Sequence, residues 1–139
     1  MLWFDPAMSY HVAHNSELSW DDRPSAGDDG GMRQAADLTT QVALAQSRAR
    51  LWRLPPGTRG RRHVEHDQEE VFVVLEGTLT MLLGDPPERF ELARASVASV
   101  QPGTALQLRN ESGADVLVLA YGAPPITGGS EHLEEADAG

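Results

Sequence analysis

The chain has 139 residues, a formal net charge of -10 and a pI near 4.8. Such a surface repels a phosphate backbone, so nucleic acid is not expected as a partner. It contains no cysteine, which removes disulfides, thiolate ligands and a cysteine nucleophile, and its 11 basic residues are all arginine, which removes a lysine Schiff base. No apolar run nears the roughly 20 residues that span a bilayer. The start, MLWFDPAMSYH, lacks a basic stretch leading into a long apolar one. The expectation is a cytoplasmic protein without a membrane partner, and the length suits a single domain.

Residues 1–41 read as an N-terminal arm and flexible loop. The first seven look like an upstream extension without a structural role. Tyr10 to Val12 is expected to start a short strand, SELSWDDRP is a loop with a partly buried Trp20, and Ser25 to Gly31 (SAGDDGG) is a flexible connection. From Val42 the pattern changes. VALAQSRARLWRL alternates, with Leu51 on one face and Trp52 and Leu54 on the other, and PPG then turns the chain. Val71 to Leu75 is a β-rich run, Gly77 punctuates it, and TLTMLL is a second strand. RFEL, VASVQ, ALQLRN and VLVLAY follow, separated by the turn signals GDPPER, PGT and ESGAD. Short strands with turns every eight to twelve residues or so, and no long helix, predict an all-β sandwich or barrel over 42–122. The end of the chain, 123–139, is small and acidic and is expected to be disordered.

The segment RRHVEHDQEEVFVVLEG resembles the first motif of the cupins, small jelly-roll β-barrels, which reads G-x5-H-x-H-x3-4-E-x6-G. Gly57 stands at the first glycine, His63 at the first histidine, Glu65 at the second, Glu70 at the glutamate and Gly77 at the last glycine. The second motif, G-x5-P-x-G-x2-H-x3-N, keeps Gly103 and Asn110. Ala95 replaces its first glycine, Gln101 its proline and Leu106 its histidine. The resemblance implies a single-domain cupin jelly roll preceded by an arm. Known cupins include metal-dependent dioxygenases, isomerases and decarboxylases beside non-catalytic sugar-binding and storage proteins, so the fold fixes no reaction.

Side chains two apart share a strand face, so His63 and Glu65 are expected inside the barrel and Val64 and His66 outside. Glu70 enters from the next strand, with Phe72 and Val74 on the same interior face. One imidazole and two carboxylates thus converge, a set that suits manganese, magnesium or iron(II) better than zinc. The position that a histidine fills in metal-binding cupins belongs to Leu106, which cannot ligate, and Leu108 is apolar on the same face. The expected activity is the binding of a small organic molecule in a cavity lined by His63, Glu65, Glu70, Phe72, Leu106 and Leu108. A divalent metal (manganese, iron or zinc) is expected to bind loosely at most, with a hydrogen-bonded His63–Glu70 pair in its absence. One alternative is a metal-dependent dioxygenase or isomerase acting through His63, Glu65 and Glu70. Another is a non-catalytic structural dimer module. A homodimer is expected in any case, with the arm crossing to the partner.

RGRR, Arg59 to Arg62, lies beside the mouth and reads either as an attractor of an anionic substrate or as a solvated turn balancing the acidic surface. His11, His14 and His132 are expected on the surface. Trp20 and Trp52 are expected in the core or at a subunit contact. Ser96 and Ser99 have no nucleophile-elbow context.

Overall fold

The structure, a computed structural model, describes residues 8–27, 30–125 and 128–138. Eleven strands run in chain order: β1 (Asp21–Pro24), β2 (Met32–Asp37), β3 (Arg48–Leu54), β4 (His63–Glu65), β5 (Glu69–Glu76), β6 (Leu79–Leu83), β7 (Glu88–Leu92), β8 (Val97–Val100), β9 (Ala105–Arg109), β10 (Val116–Ala123) and β11 (Ser130–His132). They build two antiparallel sheets, β1-β2-β3-β10-β5-β8 and β11-β4-β9-β6-β7. This is the expected all-β jelly-roll sandwich, in one domain. The one α-helical element, α1 (Leu38–Gln41), is a single turn whose Asp37 cap accepts a hydrogen bond from the Thr39 amide. Among the described residues no helix is long and apolar enough to cross a membrane.

The alternation read from the sequence accounts for the core. Leu54 of β3, Phe72 and Val74 of β5 and Val116 and Val118 of β10 face Leu79 and Met81 of β6 and Leu106 and Leu108 of β9, all buried in one cluster. Each such side chain contributes about 1.5–3 kcal/mol of burial free energy, so the period-2 pattern fixes which face of each strand turns inward. Gly77 ends β5 with φ 79°, and a Cβ there would run into the Asp115 carbonyl. Ala95, where the second motif has glycine, holds the same left-handed conformation at φ 72°. The turn has kept its backbone while losing the residue best suited to it.

Both ends of the chain differ from expectation. Tyr10 to Val12 forms no strand, and Tyr10 and Val12 are exposed. The arm instead supplies β1 and β2, and β2 extends the larger sheet of its own chain by pairing with β3 from Gln34↔Arg53 to Asp37↔Arg50. Nothing in the sequence of β2 signals this docking, because its buried residues Ala35 and Ala36 are too small to register as a hydrophobic run. The Ser25–Gly31 connection closes the β1–β2 hairpin and is tied down at Ser25 by the Gly31 carbonyl and at Ala26 by the Arg59 carbonyl. Asp28 and Asp29, and the first seven residues, lie outside the described ones.

The tail is the larger correction. It was expected to be disordered, yet β11 pairs with the edge strand β4, from Ser130↔Glu65 to His132↔His63. Residues after β11 cross the outer face of the smaller sheet, where Arg109 bonds Asp137 at 2.7 Å and the Ala136 carbonyl at 3.2 Å, and Gln107 donates to Glu135 at 2.8 Å. Gln107 is 0% exposed and Arg109 5%, so the tail covers polar groups rather than apolar ones. The acidity that suggested disorder is what docks it: Glu135 also pairs with Arg59 at 3.2 Å, and Arg62 donates to the Glu134 carbonyl.

Candidate functional site

β4 and β5 are joined by the bend His66–Gln68, pinned by Gln68 to the Pro124 carbonyl and by the His66 amide to the Gly129 carbonyl. This bend brings Glu70 back beside His63 and Glu65, and one ligand atom from each of the three lies within 4.8 Å of the others. Donors about 2.1 Å from one ion stand no more than about 4.3 Å apart. His63 Nε2 and Glu65 Oε1, at 3.9 Å, already satisfy that limit, and the widest pair has at most about half an ångström to close.

Two further features favour a cation. His63 Nδ1 lies 3.0 Å from the Arg61 carbonyl, which only accepts, so Nδ1 carries the proton and Nε2 turns a lone pair inward. Glu70 Oε1 is buried without a hydrogen-bond partner. Burial first, and the Glu65 charge second, push the Glu70 carboxyl up to about 7, against a smaller opposing pull from Arg48. The expected His63–Glu70 hydrogen bond is not made: Nδ1 is committed to a backbone carbonyl and Glu70 Oε1 is left open. His66, a conceivable second imidazole, points outward to Glu131 at 3.3 Å.

The donors face a cavity of about 300 Å³, at the small end of ligand sites. Phe72 and Leu108 line it as expected. Leu106 does not: opposite His63 in the β4–β9 register and 1% exposed, it is packed into the core. The cavity also has a wall the sequence reading missed. Arg48, Arg50 and Trp52 project from the inner face of β3, and Arg33 reaches over from β2. The guanidiniums of Arg33 and Arg50 sit 4.7 and 5.5 Å from the centre of the Trp52 ring. Trp52, expected in the core or at a subunit contact, packs against the core and also lines the cavity, with two cations near its ring. A period-2 reading that placed Leu54 inward also placed Arg48, Arg50 and Trp52 inward, so that signal was present. Arg33 had no comparable signal.

RGRR divides its roles. Arg59 and Arg62 clasp the tail, and Arg61 lines the cavity. Ser130 and His132 of β11 also line the cavity, where His132 is exposed at the rim, on the surface as expected. Trp20 is half-buried under the Arg53 guanidinium, 5.5 Å away, and lies off the cavity.

The cupin domain family profile matches residues 50–121, more than half of the chain. The protein is a cupin. Among curated proteins none matches it in sequence. Solved structures do match in fold. A predicted oxalate decarboxylase from Thermotoga maritima superposes with a TM-score of 0.72 at 19% identity, covering 81% of this chain and 98% of that one. A sugar phosphate isomerase from a cupin superfamily of Silicibacter pomeroyi gives 0.68 at 22% identity, with 81% and 74% covered. An uncharacterised protein with a double-stranded β-helix domain from Klebsiella pneumoniae gives 0.66 at 19%, with 81% and 90% covered. At such identities the likeness concerns the cupin barrel and not its chemistry.

Proposed function

We propose that this cupin binds a small organic molecule in its barrel cavity beside a divalent cation held by His63, Glu65 and Glu70. The observation that carries the reading is the open carboxylate. Glu70 Oε1 is buried, unpartnered and within ligand distance of two other donors, which costs free energy unless a proton or a cation meets it. Two carboxylates and one imidazole make an oxygen-rich set suited to manganese or iron(II). With Leu106 in the core the protein supplies three ligands, leaving positions for water and for oxygen atoms of the bound molecule. A cation there would polarise a carbonyl or carboxylate of that molecule and stabilise negative charge developing on it. Two of the fold neighbours are named for small anions, oxalate and a sugar phosphate, which fits a cavity of this size and its arginines.

The second reading is a metal-free binder in which Glu70 holds a proton. It is favoured by the raised Glu70 carboxyl and by the apolar Leu106 at the fourth position. Thermal unfolding with chelator, manganese(II), iron(II) or zinc separates the two. A metal that binds only the folded state raises Tm by mass action, so a saturable rise lost in Glu70→Gln supports the cation, and an unchanged Tm with every metal rejects it.

A further inference from the structure

The register across the larger sheet sets two rows of residues side by side on its inner face. Arg48 pairs with Gly122 of β10, which pairs with Glu70 of β5; one row deeper, Arg50 pairs with Ala120, which pairs with Phe72. The middle strand therefore contributes a hydrogen and a methyl group. The floor is low at Ala120, while the Gln68 side chain lies over Gly122, its Oε1 3.3 Å from where a Cβ would stand, and the arginines and the donor set flank this floor on either side. Two strand spacings, about 9.6 Å, separate the backbones of the two walls, so both are within reach of one small molecule.

Asp37 and Glu65 attract Arg50 through space, and Glu70 attracts Arg48. Arg50 stacks on Trp52, and among the described residues no carboxylate forms an ion pair with it. Arg33 is oriented by two bonds to the Pro24 carbonyl, 2.8 and 3.3 Å, and lies 4.7 Å from the centre of the Trp52 ring. These three arginines, with Arg61, line a cavity of a protein whose net charge is -10. Burial, and next the Arg48 charge, push the Arg50 guanidinium below its usual range against smaller pulls from Asp37 and Glu65.

We propose that Arg50, with Arg33 and Arg48 flanking it and Trp52 bracing it, forms an oxyanion-binding subsite that takes a carboxylate or phosphate group of the ligand at the wall opposite His63, Glu65 and Glu70. The guanidinium plane offers paired N–H donors matched to two oxygens of such a group, and Trp52 holds that plane at low entropic cost. This deepens the reading above by naming the ligand class: a small organic acid or phosphate ester, anchored by its anion while its other end faces the donor set.

The test uses the full chain, first in chelator. Inorganic phosphate, malonate and glucose are titrated by calorimetry into the native protein, Arg50→Gln, Arg50→Lys and the surface control Arg94→Gln. The subsite predicts saturable binding of phosphate or malonate and none of glucose, a loss of at least about ten-fold in affinity in Arg50→Gln, a smaller loss in Arg50→Lys and no change in Arg94→Gln. Phosphate against malonate tells which anion the subsite prefers. Matching circular dichroism and denaturant midpoints for the variants separate lost binding from lost folding; if Arg50→Gln is unstable, Arg50→Lys carries the comparison. Binding of glucose as tight as malonate, or anion affinity unchanged in a folded Arg50→Gln, overturns the proposal. Anion binding that persists although no metal raises Tm would reject the cation and leave the subsite standing; metal binding without anion binding would do the reverse.

Discussion

Replacing Glu70 by glutamine in the metal-free protein should flatten the dependence of stability on pH. Glu70 titrates at about 7 in the folded protein and near 4.5 in an unfolded chain. Below the lower value the carboxyl is protonated in both states and nothing is lost. Between the two values the folded state binds the proton more tightly, so stability falls as pH rises, and above about 7 the full loss is in place. At 1.36 kcal/mol per pH unit that loss is about 3 kcal/mol, roughly three-quarters of it between pH 5 and pH 8. Partial solvent exposure of the side chain trims the part in that window to about 1.5 kcal/mol. For a chain of this length 1 kcal/mol corresponds to about 3 °C, so chelator-treated native protein should lose about 5 °C more in Tm from pH 5 to pH 8 than Glu70→Gln does. The paired difference matters, because every other titratable group is common to the two proteins. Adding manganese(II) should reverse the trend, since protons and metal compete for Glu70, and the metal-induced rise in Tm should grow with pH. Parallel profiles for the two proteins in chelator would show that Glu70 is not held in a desolvated, unpartnered position, and the argument for the site would fail with it.

Deleting residues 128–139 should lower Tm by several degrees, because it removes β11 from the β4 edge and strips Gln107 and Arg109 of Glu135 and Asp137; an unchanged Tm would mean that the tail does not dock. Ala95→Gly should raise stability by about 0.5–1 kcal/mol, the left-handed penalty for alanine being partly offset by the greater freedom of glycine in the unfolded chain, and a denaturant midpoint that falls would contradict the φ of 72°. Leu106→His should cost stability in chelator, since it trades a fully buried leucine for a polar ring. Facing His63 across β4 and β9, it should nonetheless enlarge the manganese- or zinc-induced rise in Tm. A variant whose rise is no larger than the native one would show that position 106 cannot reach the ion.

The strands from β3 to β10 were legible because each carries a period-2 pattern that turns bulky aliphatic residues to one side, and because glycine and proline mark the turns. The motif glycines Gly57, Gly77 and Gly103 all have positive φ, so they reported backbone geometry directly. The donor trio was legible for the same reason: His63 and Glu65 are two apart on β4, and Glu70 is in phase with Phe72 and Val74 on β5. What stayed hidden depended on groups whose burial is polar. β2 docks through alanines and the tail through arginine–carboxylate pairs, and neither leaves a hydrophobic period to read. Arg48 and Arg50 were in phase with Leu54 yet drew no expectation of their own, because arginine is rarely placed inside a barrel without a partner. Leu106 was expected to line the cavity and lies in the core, since spacing gives the face of a strand and not the depth along it.

The distribution of charge explains how an acidic chain keeps a cationic cavity. Arg59, Arg62, Arg89 and Arg109 lie on or beside the smaller sheet and are matched by Glu111 and by the tail, through the Glu135 and Asp137 carboxylates and the Glu134 and Ala138 carbonyls. Those carboxylates are held outside, with Glu111 and Asp137 kept below the usual carboxylate range by hydrogen bonds from Arg89 and Arg109. Were the tail free, its acidic side chains would be available to the arginines of the mouth, only one strand away at Arg61. With the tail fixed by β11, the cavity arginines face two carboxylates of their own, Glu65 and Glu70, across a floor of glycine and alanine. A cation between those carboxylates cancels their charge and leaves the arginine wall as the net field inside the cavity. The donor set and the oxyanion subsite therefore reinforce each other: binding a metal removes the repulsion that Glu65 and Glu70 exert on an incoming anion, and a bound anion favours the metal by the same amount.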